Sequence, residues 1–235
     1  MNLNDAKIIV TGSSSGIGYE TAKMLKELGA SVLITGSNEE RLVKAATALG
    51  LPYFKADIAN EDDVKALFLY AIDKLGGLNV LINNAGIGHF ASLTATSVAH
   101  FQKQWEVNTK GVFLAGKEAA KHFITAKYGN IINIGSTAAA RGFASGTGYV
   151  ASKFAVSGMT ESWRAELRPH NIRVCQVNPS EVVTDFIEKA GFELKNTEYK
   201  LKATHIAQAI VSVLSLDDMG FIPSLEVWST NPDRN

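Results

Sequence analysis

Cysteine is almost absent from this chain: Cys175 is the only one. A lone cysteine closes no intrachain disulfide, which fits a reducing compartment and excludes a disulfide-stapled secreted scaffold. Net charge is absent too. Lys plus Arg and Asp plus Glu number 23 each, so the basic excess of a nucleic-acid or membrane-surface binder is missing. There is no proline-rich or charged linker, no repeat and no low-complexity tract. No apolar run approaches the ~18 residues that would span a bilayer. The polar start, Met1 to Lys7, does not read as a signal peptide. The five histidines (His89, His100, His122, His170, His205) lie far apart, without metal-ligand spacing. What is there is a globular composition, 46% hydrophobic and 20% charged. These features predict a cytoplasmic, single-domain protein over residues 1–235, with no nucleic-acid, membrane or metal partner. They leave its chemistry open.

Two hydrophobic periods alternate along the chain. Ile8–Val10, Ser31–Thr35, Pro52–Ala56, Leu78–Ile82, Asn130–Ile134, Ile172–Val177 and Leu225–Trp228 read as short apolar strands. Helical spacing fills 17–28, the stretch through Leu42 to Leu49, 61–75, 97–127 (one long helix or two joined), 148–168 and 204–215. Gly76-Gly77 is a helix stop. The segment 186–203 has mixed charge and little periodicity, and reads as a flexible loop. Continuous apolar strands separated by helices predict a doubly wound α/β fold: about seven parallel strands with helices on both faces.

Three clusters could carry chemistry. Thr11-Gly12-Ser13-Ser14-Ser15-Gly16-Ile17-Gly18 joins the first strand to the first helix. Glycines there let a backbone approach a diphosphate, and a helix N-terminus attracts anions; an ordinary glycine turn is the plain alternative. Asn83-Asn84-Ala85-Gly86 follows the fourth strand, beside the point where strand order reverses and ligands bind in such sheets. Taken alone it reads more readily as a turn built from Asn and Gly. Tyr149 and Lys153 share a helical face, and Ser136 ends the fifth strand. An ammonium beside a phenol favours the phenolate, lowering the tyrosine pKa from about 10. That would make Tyr149 a proton donor to a developing alkoxide, unless the pair is a solvated surface contact.

In order and spacing, these motifs resemble the short-chain dehydrogenase/reductase family, including its 3-oxoacyl-reductase-like members, over about Lys7 to Thr184. Asn108, in Val107-Asn108-Thr109-Lys110-Gly111, is similar to that family's helix asparagine, and Asn178-Pro179 to its segment after the sixth strand. The resemblance implies a Rossmann fold and hydride transfer between NAD(P) and a small carbonyl or alcohol. Tyr149 would be the general acid or base, Ser136 would orient the substrate oxygen, and Lys153 would tune the tyrosine and bind the nicotinamide ribose. Asn108 would hold a water in the proton relay. The cofactor would lie against Gly12, Ser13, Ser14, Ser15, Gly16, Ile17 and Gly18; Ser37, Asn38, Asp57 and Ile58; Asn84, Ala85 and Gly86; Tyr149 and Lys153; and Pro179, Val182 and Thr184. Asp57 reads alternatively as an N-cap.

Departures from the family pattern refine this. NAD-preferring sites place an acid at the end of the second strand, and here Gly36 stands there. Hydroxyl and amide donors at Ser13, Ser37 and Asn38 favour NADP(H) over NAD(H). Ser180 replaces the family glycine after Pro179, and this loop is expected to differ locally. Gly88, His89, Phe90, Ala138, Phe143, Ser180, Glu181 and Phe186 would ring the mouth, with Ser136, Ala138, Phe143, Tyr149 and Phe186 as the substrate set. That mouth is partly apolar and lacks an Arg or Lys cluster. Apolar residues on 97–127 and 148–168 (Phe101, Trp105, Val112, Phe113, Ala119, Ala155, Trp163) predict a homodimer or homotetramer. A non-catalytic NAD(P)-binding redox sensor or scaffold is the alternative function. A methyltransferase on the same sheet would leave Tyr149 and Lys153 unexplained.

Overall fold

A computed structural model describes residues 1–191 and 196–232. Seven strands form one parallel sheet in the order β3-β2-β1-β4-β5-β6-β9. They are β1 Lys7–Val10, β2 Ser31–Gly36, β3 Tyr53–Lys55, β4 Val80–Asn83, β5 Gly129–Ile134, β6 Ile172–Pro179 and β9 Ser224–Val227. Successive residues point to opposite faces, and both faces are covered. Ile8 and Val10 enter one core while Ile9 enters the other, and Val32 and Ile34 part from Leu33 in the same way. Double coverage is why the strands read as unbroken apolar runs.

The first core packs α1 Gly16–Glu27, α2 Glu39–Leu49 and α8 Ala203–Ser215 against the sheet. The second packs α3 Glu61–Leu75, α5 Gly111–Ala126 and the end of α6 Thr147–Leu167. Local chemistry sets the boundaries. The Asn38 side chain caps α2, Asn60 caps α3 and Ser97 caps α4 Val98–Trp105, each accepting backbone N–H groups of the first turn. Gly50 and Gly76 end α2 and α3 in the left-handed conformation, as the Gly76-Gly77 signal predicts.

The stretch 97–127 is two helices joined by a π turn, Glu106–Lys110, between α4 and α5. The described residues of the segment 186–203 are more ordered than its composition predicts. The short helix α7 Asp185–Lys189 starts it, and β8 Leu201–Lys202 pairs with β7 Val182–Val183 to close its base. Residues 192–195 of that segment lie outside the described residues. Among the described residues, no helix is long and apolar enough to cross a membrane, and no group of three or more His, Cys, Asp or Glu could hold a metal.

Candidate active site

Strand order reverses between β1 and β4, so their carboxyl ends splay and leave a cleft. It holds roughly 460 Å³, the size of a cofactor or small-ligand site. Gly12 turns the chain at its floor with φ +62°, and a Cβ there would stand 2.6 Å from Ala85 Cα. Asn84 crosses the same gap: its Nδ2 donates to the Thr11 and Gly12 carbonyls at 2.9 and 3.0 Å. Thr11 Oγ1 in turn accepts the Asn84 and Ala85 N–H groups, both at 3.0 Å. The two loops are thus one rigid unit. The N-terminus of α1 opens into the cleft beside Ser14, Ser15, Gly16 and Ile17. Its N-cap, Ser15, makes no side-chain bond to the first turn, and that turn contains no acid. An uncapped helix N-terminus of this kind fits a diphosphate. Further along, Thr35 lines the cleft with a buried hydroxyl that has no partner, so this end also offers a polar group to a ligand.

The other wall comes from β5 and α6. Ser136 continues β5 in extended backbone and caps the turn Thr137–Ala139, its Oγ accepting the Ala138 N–H at 3.1 Å. Its hydroxyl also faces Tyr149 closely enough to favour the phenolate. Lys153 is buried and donates to the Ile134 carbonyl at 2.8 Å. Its ammonium lies 5.7 Å from the centre of the Tyr149 ring. The lowered tyrosine pKa expected from sequence is not what this geometry gives. Burial pushes the phenol up to about 12, with only the Ser136 bond pulling it back. Burial also pushes the Lys153 ammonium down to about 8. Desolvation outweighs the attraction of a charge held against a carbonyl.

Most of the expected cofactor residues line the cleft: Gly12, Ser14 to Ile17, Ser37, Asn38, Asp57, Ile58, Asn84 to Gly86, Tyr149, Lys153, Pro179, Val182 and Thr184. Two do not. Ser13 is fully buried, its Oγ donating to the Val10 carbonyl at 2.6 Å and accepting the Thr35 N–H at 3.0 Å, so it staples β1 to β2. Gly18 is a packing glycine: a Cβ would stand 2.5 Å from Asn84 Nδ2. Asp57 is not the N-cap of α3, which is Asn60; its Oδ1 accepts the Ala59 N–H at 3.0 Å.

Asn108 does not itself line the cleft but lies behind Gly86 and Ile87, which do. In the π turn its side chain accepts the Ile87 N–H at 2.8 Å and donates to the Ile87 carbonyl at 2.9 Å and to Ser152 Oγ at 3.0 Å. It buttresses the loop after β4. Ser180 has no left-handed backbone, so it occupies the family glycine's position without strain. Of the substrate set, Ser136, Tyr149 and Phe186 line the cleft. Ala138 is buried in its turn, and Phe143 is half exposed, edge-on to Phe90. Phe90 and Phe186 flank the Tyr149 ring, with centroids at 5.5 and 5.8 Å. Glu181 instead pairs with Lys200, and His89 stacks on His100, ring centroids 3.7 Å apart.

Arg41, Lys103, Lys153 and Lys189 line the cleft against two acids, Asp57 and Asp185. The cleft is therefore more basic than the neutral chain suggests. Lys103 and Lys189 escaped the sequence reading, because neither lies in a motif and only the turn of α4 and α7 brings them to the opening. Cys175 is buried, its thiol pushed up to about 11 by desolvation, as befits an inert core residue.

Comparison with known proteins gives a consistent picture. A family model described as short chain dehydrogenase matches residues 6–194. The chain is 31% identical over 236 residues to a 3-oxoacyl-[acyl-carrier-protein] reductase of Thermotoga maritima, covering 94% of this chain and 95% of that protein. It is 35% identical over 196 residues to (+)-borneol dehydrogenase 2 of Salvia officinalis, covering 81% and 69%. Among solved structures, a 3-ketoacyl-(acyl-carrier-protein) reductase from Brucella melitensis complexed with NADH superposes with TM-score 0.91 at 28% identity, over 98% of this chain and 99% of that one. An alcohol dehydrogenase from Thermococcus sibiricus complexed with 5-hydroxy-NADP gives 0.87 at 26%, over 97% and 98%.

Proposed function

The chain belongs to the short-chain dehydrogenase family and is an oxidoreductase, and from that premise we propose that it transfers a hydride between NADP(H) and a small carbonyl or alcohol with Tyr149 as general acid and base. The observation that carries this is the convergence of Tyr149, Ser136 and Lys153 on one wall of the cleft, opposite an uncapped helix N-terminus. When bound, the nicotinamide supplies the hydride acceptor or donor. The protein supplies position and the proton. Ser136 donates a hydrogen bond to the substrate oxygen. Tyr149, kept protonated by its buried setting, gives that oxygen its proton in reduction and takes it back in oxidation. Lys153, anchored by Ile134, places a positive charge near the tyrosine ring and would hold a ribose hydroxyl of the cofactor.

Preference for NADP(H) is supported by the far end of the cleft. Gly36 puts no carboxylate there, and Ser14, Ser37 and Arg41 line that end, with Ser14 taking the part expected of Ser13. The phenyl rings beside Tyr149 favour a carbonyl carried on an apolar body. Exposed aromatic residues on α4, α5 and α6 support a homo-oligomer. A single, buried cysteine goes with a cytoplasmic location.

The test is a fluorescence titration with NADPH and NADH, followed by a carbonyl panel read by cofactor absorbance. NADPH is expected to bind more tightly. Tyr149→Phe is expected to retain NADPH binding and lose about 10²–10⁴-fold in turnover. A variant with unchanged turnover would falsify the role given to Tyr149.

A further inference from the structure

Behind Ser136 runs a chain of buried amides that the reaction does not touch. It begins on α6 at Ser157, on the helical face that carries Tyr149 and Lys153 at four-residue intervals. Ser157 Oγ accepts from Gln176 Nε2 at 2.9 Å. The same nitrogen donates to Asn178 Oδ1 at 2.7 Å, and that oxygen accepts the backbone N–H of Ser136 at 3.2 Å. Asn178 Nδ2 donates to Ser224 Oγ on β9 at 3.3 Å. Gly135 leaves the room this needs: a Cβ there would stand 2.1 Å from Asn178 Oδ1 and 2.5 Å from Gln176 Nε2.

The direction of the chain is fixed from one end. A backbone N–H can only donate, so the Asn178 oxygen must face Ser136. That oxygen in turn requires the nitrogen of Gln176, so a single arrangement of both amides satisfies every partner. The strand register alone aligns β5 with β6. Lys153 ties Ile134 to the tyrosine helix and Asn133 ties to Thr160, and the amides extend that tie past the strand end to the Ser136 N–H.

We propose that Gln176 and Asn178 are positioning residues, which set the Ser136 hydroxyl against Tyr149 by clamping the end of β5 to α6. This rests on Ser136 being the group that binds the substrate oxygen.

Three variants separate the clamp from simple core filling. Asn178→Leu removes the acceptor at similar volume, Asn178→Asp keeps an acceptor oxygen, and Gly135→Ala displaces both amides. Turnover would be followed with NADPH and 1-phenyl-1,2-propanedione, NADPH affinity by fluorescence, and the Ser136 amide by hydrogen exchange of a peptide spanning 134–138. For Asn178→Leu and Gly135→Ala, kcat is expected to fall about tenfold (1.4 kcal/mol), with NADPH affinity within about twofold and faster exchange at Ser136. Asn178→Asp is expected to restore most of the turnover and the protection. Wild-type turnover in Asn178→Leu, or equal loss in the Leu and Asp variants, overturns the proposal. Should Asn178→Leu not fold, Ser157→Ala trims only the helix end of the chain; unchanged kcat there also overturns it. If the wild type reduces no carbonyl, the assignment of function fails instead, and exchange at Ser136 alone decides whether the clamp exists.

Discussion

Lys153 is a buried ammonium with one neutral partner, the Ile134 carbonyl, and its value near 8 makes it a liability to the folded protein. Its pKa is lowered on folding. Between about 8 and 10.5 the unfolded chain therefore binds the proton more tightly, and stability rises with pH through that window. Tyr149 acts above it and in the other sense: its value is raised to about 12 from 10, so its contribution to stability is lost as pH climbs beyond 10. Lys153→Met should accordingly melt higher than the wild type at pH 7, by about 2–4 °C per kcal/mol for a chain this long. The gap should close as pH approaches 10. Paired thermal melts at pH 7, 8.5 and 10 measure it, and a constant gap would show that the ammonium is not the cause. The same variant should lose turnover.

Gly36 supports a second prediction at this scale. A Cβ there meets Ser14 Oγ at 3.5 Å, an ordinary contact, and its φ is not left-handed. Aspartate therefore fits without strain. Gly36→Asp should weaken NADPH by about tenfold or more, since a carboxylate against a 2′-phosphate costs at least 1.4 kcal/mol, while NADH is spared or gains. Titration with both cofactors reads the ratio. Identities at these positions were legible in the sequence and orientations were not. Ser13 and Ser14 are neighbours of one type, yet one turns into the sheet and the other into the cleft, because the Thr35 N–H captures the first.

At the scale of elements, the π turn between α4 and α5 has no signature in hydrophobic spacing, which shows only helix from 97 to 127. Its effect is on Asn108, whose amide meets both backbone groups of Ile87. Asn108→Leu leaves those part-buried groups without a protein partner, which costs up to about 1–3 kcal/mol for each where water does not replace it. The urea midpoint should drop accordingly, and turnover should fall with the loosened loop after β4. An Asn108 serving only to hold a water would give the second effect without the first. By contrast, α3 matches its sequence reading, Glu61–Leu75, because cap, apolar stripe and glycine stop all agree on one boundary.

For the whole molecule, the doubly wound parallel layout was legible because alternating strands and helices admit few right-handed arrangements. Cleft charge was not, because it depends on which side chains four separate elements happen to bring together. Association is a property of the same scale. Of the residues expected to form the interface, Val112 and Ala119 are buried in the chain's own core, and the Trp163 ring lies against Gly116. Phe101, Trp105 and Phe113 remain 38%, 44% and 45% exposed, joined by Val98 at 73% and Phe154 at 45%. These stand on α4, α5 and α6, which pack side by side. Large apolar side chains on adjoining helices support the proposed homo-oligomer, since isolated exposure would scatter them. Light scattering at micromolar concentration should give a mass at least twice the 25.2 kDa of the chain. The double variant Trp105→Glu, Phe113→Glu should return it to one chain, since charges buried at an apolar interface centre are left unpaired. A wild-type protein that scatters as a single chain would show that these aromatics serve some other contact.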